Sequence, residues 1–457
     1  MTASFFIADI ASELALFAAA GFLLFALDDL AVDLVYLARR LWRSATVYSR
    51  FPRAFAGTLA KPVRPGRLAV FVPAWDEGPV VAAMLRSSLD RWDGQDFRIF
   101  VGHYRNDPKT IAALAGIDDP RVETVLIHHD GPTTKADCLN HLHDALIAAE
   151  LRDGWTAKAV ILHDSEDLVH PLEIALFDKL VERAALVQLP VLPLPSPGSR
   201  WIAGHYCDEF AESHGKEMVV REAIGASIPL AGVGCAIERE ALARLAARRG
   251  GKPFAADCLT EDYELGLRLG EIEAAAMFVR IPAYPGSRAL VASRGHFPET
   301  LATAVRQKAR WIGGIALSGW DRLGWRGGIG ERWMRMRDRR GPLAAVLLVA
   351  GYAAALLWLQ LGIASALGAP VQFQVSPALA FLLQLNLVLL LWRLFVRFCF
   401  VTSAYGFAEG LRSLPRTMVG NVIAILAVRR AVAIYVAGGP PVWDKTGHMF
   451  PTPETAQ

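Results

Sequence analysis

Cysteine is scarce and scattered. The 457-residue chain has five, Cys138, Cys207, Cys235, Cys258 and Cys399, an odd number with no Cys-x-x-Cys spacing among them. This speaks against a disulfide framework or a zinc site and suits a reducing compartment. An excess of charge of either sign is also missing. Lys and Arg number 48 against 45 Asp and Glu, a net charge of +3. A chain so balanced is not, as a whole, a nucleic-acid binder. Internal repeats and low-complexity stretches are absent, and one long run, Gly341 to Trp392, holds no charged residue at all.

Apolar residues, by contrast, are abundant. The set AVILMFWYC makes up 53% of the chain, and there are 38 Gly besides. Even with Tyr set aside, that exceeds the roughly 45–50% of soluble domains on the comparable set. A span needs about 20 apolar residues. The uncharged run holds two, read at about 343–364 and 377–399. A third is read at about 10–32, with Asp28, Asp29 and Asp33 crowding its far end. Residues 1–10 carry no Lys or Arg, so a retained anchor is expected rather than a cleaved signal. Basic residues gather after the first span (Arg39, Arg40, Arg43), before the second (Arg335, Arg337, Arg340) and after the third (Arg412, Arg416). The positive-inside rule then places residues 38–340 and the C-terminal tail in the cytoplasm, in a bacterial inner membrane crossed three times. Residues 411–436 are interrupted by four Arg and are expected as one or two amphipathic helices lying in the interface.

Between the spans, residues 65–300 alternate apolar β-branched runs with helical patterns. The runs are Leu68–Val72, Phe97–Val101, Val122–Ile127, Ala159–Leu162 and Leu186–Leu189. Val80–Leu89, Lys135–Ala149 and Leu172–Arg183 read as helices between them. This order predicts a parallel, helix-covered α/β sheet, whose ligands bind at the carboxyl ends of strands. Polar clusters stand just there: Trp75-Asp76-Glu77 after the first run and His163-Asp164-Ser165-Glu166-Asp167 after the fourth. Gly232-Val233-Gly234 lacks the third Gly and the strand-to-helix context of a dinucleotide loop.

Each polar cluster has a bland and a chemical reading. Asp164, Glu166 and Asp167 are a solvated acidic loop, or a set of oxygen ligands whose mutual repulsion a hard divalent cation relieves. Thr260-Glu261-Asp262 caps a helix, or presents a general base at its start. Lys135, opening a helix after Thr133-Thr134, is a surface lysine or a phosphate site. Gln307, Arg310 and Trp311, at i, i+3 and i+4, share one helix face. That face is either a basic membrane-proximal stripe, or a platform on which a sugar stacks while Arg holds a phosphate.

Taken in order, these motifs resemble those of the family-2, inverting, processive-type membrane glycosyltransferases. The family pattern includes a Lys-Ala-x-x-Leu-Asn helix start, an Asp-x-Asp, a Thr-Glu-Asp and a Gln-x-x-Arg-Trp. This chain has Lys135 to Asn140, Asp164-Ser165-Glu166, Thr260-Glu261-Asp262 and Gln307-x-x-Arg310-Trp311. Glu166 replaces the second acid, and Gly102-His-Tyr-Arg-Asn106-Asp107 stands where the family has Asp-Asp-Gly-Ser. The resemblance implies a GT-A type (Rossmann-like) α/β catalytic domain joined to α-helical transmembrane segments. It also implies a UDP-sugar donor, and Mg²⁺ or Mn²⁺ held by Asp164 and Glu166 with Asp167 adjacent. Asp262, beside Glu261, would be the base. Trp75, Asp76, Glu77, Asp107, Lys135 and Arg310 would hold the donor, and Gly232, Gly234, Gln307 and Trp311 the acceptor. The product would be a polysaccharide growing toward export, its path completed by the interfacial helices or by a partner such as an outer-membrane protein. Two other readings remain at this point: a single addition to a polyprenyl-linked acceptor, and an inactive scaffold or receptor component. The corresponding segments are an anchor over 1–37, a basic linker over 38–64, the catalytic domain over 65–300 and the Gln-x-x-Arg-Trp helices over 301–340. Two spans over 341–400 and the interfacial helices and tail over 401–457 follow.

Overall fold

The computed structural model describes residues 2–369, 375–439, 447 and 449–451, with side chains from Phe6 onward. The rest of the expected tail, and the middle of the loop between the second and third spans, lie outside these. In chain order the sheet strands are β1 (Leu68–Pro73), β2 (Phe97–Tyr104), β3 (Val122–Ile127), β4 (Ala159–Leu162), β5 (Leu186–Gln188), β6 (Cys235–Glu238) and β7 (Ala276–Phe278). The helices begin with α1 (Thr2–Thr46), α2 (Val81–Arg91), α3 (Pro108–Leu114), α4 (Lys135–Asp153) and α5 (Glu173–Leu180). They continue with α6 (Ile202–Glu212), α7 (Met218–Ala223), α8 (Arg239–Ala247), α9 (Glu261–Glu271) and α10 (Leu301–Ile312). Last come α11 (Ser318–Leu323), α12 (Ile329–Arg339), α13 (Gly341–Ala366), α14 (Pro377–Tyr405) and α15 (Phe407–Ala437).

The strands form one sheet in the order β3-β2-β1-β4-β6-β5-β7. All five expected strands are present. β1 lies parallel to β2 and β4, with Leu68 opposite Phe97 and Ala159. Side chains alternate across β1, as the period of a strand requires. Leu68, Val70 and Val72 pack with Met84 and Leu85 of α2 and Phe177 of α5. Ala69 and Phe71 pack with Leu139 and Leu142 of α4, Leu242 of α8 and Leu269 of α9. Both faces are therefore covered, which is why the strands read as unbroken apolar runs.

The expectation of an all-parallel sheet needs correction. β6 runs antiparallel between β4 and β5. It follows Gly232 and Gly234, whose φ values of 78° and 57° belong to the left-handed region that glycine adopts at no steric cost. β6 and β7 have only four and three residues. β4 and β5 are just as short, but they stand out as runs rich in Val, Ile and Leu, whereas Cys-Ala-Ile-Glu and Ala-Met-Phe do not.

Among the described residues, four helices are long and apolar enough to cross a membrane: α1, α13, α14 and α15. The first three match the three expected spans, with α1 packed along α13 and α14. The 45 residues of α1 measure about 68 Å at 1.5 Å each, well beyond a hydrocarbon core of about 30 Å. The acids crowding the far end of the first expected span meet basic partners. Asp28 and Asp29 accept from Arg340 at 2.7 and 2.6 Å, and both pair with Arg337 of α12. Asp33 takes Lys216 Nζ at 2.5 Å and Trp392 Nε1 at 2.8 Å.

The expected interfacial segment is a single continuous helix, α15, with Pro415 inside it. Its length and composition suffice for a fourth crossing. Both of its halves nevertheless touch elements of the sheet-bearing body and its helical extension. Arg416 pairs with Asp208 of α6 at 2.8 Å, and the Tyr435 hydroxyl donates to Asp321 of α11 at 2.5 Å.

Candidate active site

β4 delivers the acidic segment to the carboxyl edge of the sheet. His163, fully buried, bridges two acids: Nδ1 lies 2.8 Å from Asp167 Oδ2 and Nε2 lies 2.8 Å from Glu173 Oε1. Burial opposes its charge, but Glu173 and Asp167 outweigh this and lift it to about 10. Asp167 Oδ2 also accepts from the Asp164 backbone N–H at 3.0 Å. Burial lifts Asp167 to about 6 although His163 opposes the shift. One oxygen of Asp167 is therefore committed to holding the loop, while Asp164 and Glu166 join it in lining a cavity of about 360 Å³.

α4 and α9 bring the remaining charges to the same place. Thr134 caps α4 by accepting from Asp137 N–H, and Lys135 follows as the first helical residue. Lys135 Nζ lies 2.5 Å from Asp164 Oδ1 and 3.7 Å from Glu261 Oε1. Thr260 occupies the cap position of α9, yet its side chain makes no capping bond. Its hydroxyl lies instead where a Cβ on Gly314 would fall, 2.6 Å away. Glu261 and Asp262 follow in the first helical turn. A Cβ on Gly232 would lie 2.6 Å from Asp262 Oδ2 and 3.3 Å from Lys135 Nζ, so glycine there lets these two side chains converge. Burial raises Glu261 to about 7 and raises Asp262, with Lys135 opposing both shifts. The lysine itself, despite its burial, is held above its ordinary range by Asp164, Glu261 and Asp262.

α10 supplies a further part of the lining. Gln307, Arg310 and Trp311 all line the cavity, as their shared face predicts. Trp311 packs in an aromatic group with Tyr206, Phe210 and Phe297, at ring distances of 6.0, 6.4 and 6.5 Å. Gln307 Oε1 is buried without a hydrogen-bond partner among the described residues.

The donor-side expectations divide. Glu77 and Lys135 line the cavity, whereas Trp75, Asp76 and Asp107 are not among its walls. Asp107 caps α3 through Thr110 N–H and accepts from Asp76 N–H at 2.6 Å, while Trp75 packs edge-on against Tyr104. Of the expected acceptor-side residues, Gly232 and Gly234 flank the lining residue Val233. Sequence reasoning missed Phe210, His296, Phe297, Glu299 and, from the tail, Gly447 and Met449, which also line it. These are single residues outside any motif, and only the fold brings them in.

The donor set fits a divalent cation. Glu77, Asp164, Glu166, Asp167, Glu261, Asp262 and Glu299 line the cavity against Lys135 and Arg310. Seven carboxylates gathered around two basic side chains leave an excess of negative charge, and carboxylate oxygens are the ligands hard cations prefer.

A GT-A type sheet ending in a converging acid cluster defines a class, and family comparison gives the same one. The glycosyltransferase like family 2 model matches residues 65–314, more than half of the chain, and the protein belongs to that family. Among individual proteins, it is 37% identical over 456 residues to bacteriophage adsorption protein B of Escherichia coli strain K12. It matches bacteriophage N4 adsorption protein B of Escherichia coli O157:H7 to the same degree. Each alignment covers 93% of this chain and 60% of the relative, so the chain spans about 60% of the length of these curated relatives. A solved mannosyltransferase from Pyrobaculum calidifontis, PcManGT, in complex with GDP-Man and Mn²⁺, shares the fold at a TM-score of 0.51 and 17% identity. That match covers 88% of this chain and 99% of the other.

Proposed function

We propose that this chain is a membrane-held inverting glycosyltransferase that moves a sugar from a UDP-sugar to a growing polysaccharide. The observation that carries the reading is the convergence of Asp164, Glu261 and Asp262 on Lys135 in one cavity that Gln307, Arg310 and Trp311 also line.

Asp262 accepts the proton of the attacking acceptor hydroxyl. Its raised affinity for protons suits a general base, whose efficiency is greatest near the working pH. The hydroxyl oxygen bonds to the anomeric carbon as the bond from that carbon to the diphosphate breaks. UDP leaves with the electron pair, and one displacement inverts the centre. Lys135 keeps Asp164 and Glu261 from repelling Asp262 out of place. Arg310 pairs with the diphosphate, and Trp311 and Phe297 give the acceptor an aromatic platform. Mg²⁺ or Mn²⁺, held by Asp164 and Glu166, supplies positive charge to the leaving group when bound.

The chain sits in the bacterial inner membrane through α1, α13 and α14, with the sheet on the cytoplasmic side. The ion pairs of Asp28 and Asp29 with Arg337 and Arg340 support an inner boundary at this level of α1. We read α15, tied to α6 and α11 and packed on α10, as lying along that boundary, beside the path of a nascent glycan to export or to an outer-membrane partner.

The test incubates membranes holding the chain with a panel of labelled UDP-sugars and Mg²⁺ or Mn²⁺, then sizes the product. The expected result is a long product, abolished by chelation and reduced roughly 10²–10⁴-fold by Asp262→Asn, the usual worth of a general base. A product one sugar longer than a lipid acceptor would replace polymer synthesis with single addition. Undiminished turnover by Asp262→Asn would remove the base assignment, and donor left intact by the native chain would overturn the reading.

A further inference from the structure

Outside the catalytic cavity, three metal-ligating side chains meet. His129, Asp137 and His141 each present one ligand atom, and these atoms all lie within 4.8 Å of one another. His129 follows β3, while Asp137 and His141 stand one turn apart on α4 and so share a face. His129 Nε2 lies 3.0 Å from Asp137 Oδ2, and His141 Nε2 lies 4.0 Å from Asp137 Oδ1. The two imidazole rings, 5.3 Å apart and tilted by 48°, are not stacked. Asp137 Oδ2 also accepts from the Thr133 hydroxyl at 2.8 Å, and Thr133 Oγ1 lies 2.6 Å from the Tyr104 hydroxyl. Outer hydrogen bonds of this kind orient carboxylate ligands in metal centres. An ordinary His–Asp bond accounts for His129. Helix spacing puts His141 beside the other oxygen of the same carboxylate, 4.0 Å away and beyond hydrogen-bonding distance, so both imidazoles present a ring nitrogen to one Asp.

We propose that His129, Asp137 and His141 bind a first-row transition cation of the Zn²⁺, Co²⁺ or Ni²⁺ class. Two imidazoles and one carboxylate suit these ions, whereas Mg²⁺ takes oxygen ligands and suits the acidic cavity instead. Three protein ligands leave a coordination position for water. His129 and His141 keep 46% and 34% of their side-chain surface exposed, so the ion has an entry path. The bound ion fastens the 128–134 segment to α4 at the helical turn that begins with Lys135. It therefore steadies a wall of the catalytic cavity and is expected to lower the KM for donor more than it raises kcat. That kinetic consequence rests on the transferase reading; the binding itself does not.

The experiment titrates Co²⁺ into the full chain, purified in detergent micelles with excess Mg²⁺ to fill the acidic cavity, and reads the visible absorption of the bound ion. One equivalent is expected, displaced by one equivalent of Zn²⁺ and retained by Asp164→Asn. His129→Ala and His141→Ala are each expected to weaken Zn²⁺ binding by roughly 100-fold, the upper end of what losing even an outer-shell partner costs. Size-exclusion profiles establish folding, and either variant alone suffices. Absorption unchanged in a folded histidine variant, or native absorption no greater than that of the double variant, would overturn the site. A native chain that binds Co²⁺ here yet transfers sugar from no UDP-sugar would count against the transferase reading and leave the site standing.

Discussion

Lys135 Nζ lies 2.5 Å from Asp164 Oδ1, so the first residue of one helix neutralises the acid at the end of a strand. The same ammonium faces Glu261 at 3.7 Å. Lys135→Met leaves these carboxylates without that charge while keeping the length of the side chain. Turnover is expected to fall by roughly 10²-fold or more, the scale seen when a preorganised electrostatic group is removed. Mn²⁺ binding without donor is expected to hold or tighten, since the lysine competes for Asp164. Steady-state kinetics and calorimetric Mn²⁺ titration check both parts; weakened Mn²⁺ binding would show the lysine to be a scaffold for the acids.

Gly232 leaves little room for a side chain. Its φ of 78° strains alanine, and a Cβ placed there, 2.6 Å from Asp262 Oδ2, forces that carboxylate to move. Gly232→Ala must displace Asp262, and a shift of about 1 Å in a reacting group costs on the order of 10²-fold in rate. Stability is expected to fall by only about 1–3 kcal/mol from backbone strain. A variant with native turnover would place the base elsewhere.

His214 gives the pH dependence a defined sign. It is buried, its Nδ1 accepts from Val191 N–H at 2.8 Å, and burial, with Arg280 nearby, lowers it from 6.5 to about 3. The unfolded chain takes up this proton first. Its contribution to stability is thus full above pH 6.5 and is lost as the pH falls toward 3, at about 1.4 kcal/mol per pH unit. His214→Asn keeps an acceptor for Val191 but does not titrate. Unfolding followed from pH 7 to 4 is expected to fall less steeply in the variant by that slope; parallel curves would show that His214 is not the group.

Arg337 ties the catalytic side to the first span. It pairs with Asp28, with Asp29 at 3.0 Å and with Glu217 at 3.3 Å. Removing one partner of a buried pair costs about 3–5 kcal/mol because the other charge remains. Arg340 still holds both aspartates, so Arg337→Met is expected at about 3 kcal/mol or less. Adding Asp28→Asn should recover part of the loss in a double-mutant cycle. Additive effects would mean that the two residues act independently.

The amino-acid sequence by itself determined the long apolar helices α1, α13 and α14, the strands β1 to β5 and most of the charged residues that line the cavity. Long apolar runs have one stable environment, and a covered parallel strand needs apolar residues on both faces, so those signals are local. The Gln-x-x-Arg-Trp face was equally legible, because helical spacing alone puts Gln307, Arg310 and Trp311 together. Only the tertiary structure decided that β6 enters antiparallel, since a four-residue strand has its partners chosen by the sheet around it. It also decided that one oxygen of Asp167 serves His163, that Asp107 caps α3 away from the cavity, and that Phe297 stands beside Trp311. The partners of Asp28 and Asp29 lie some 300 residues further along the chain. Pairings at that distance depend on how helices cross, and no spacing in the sequence encodes them.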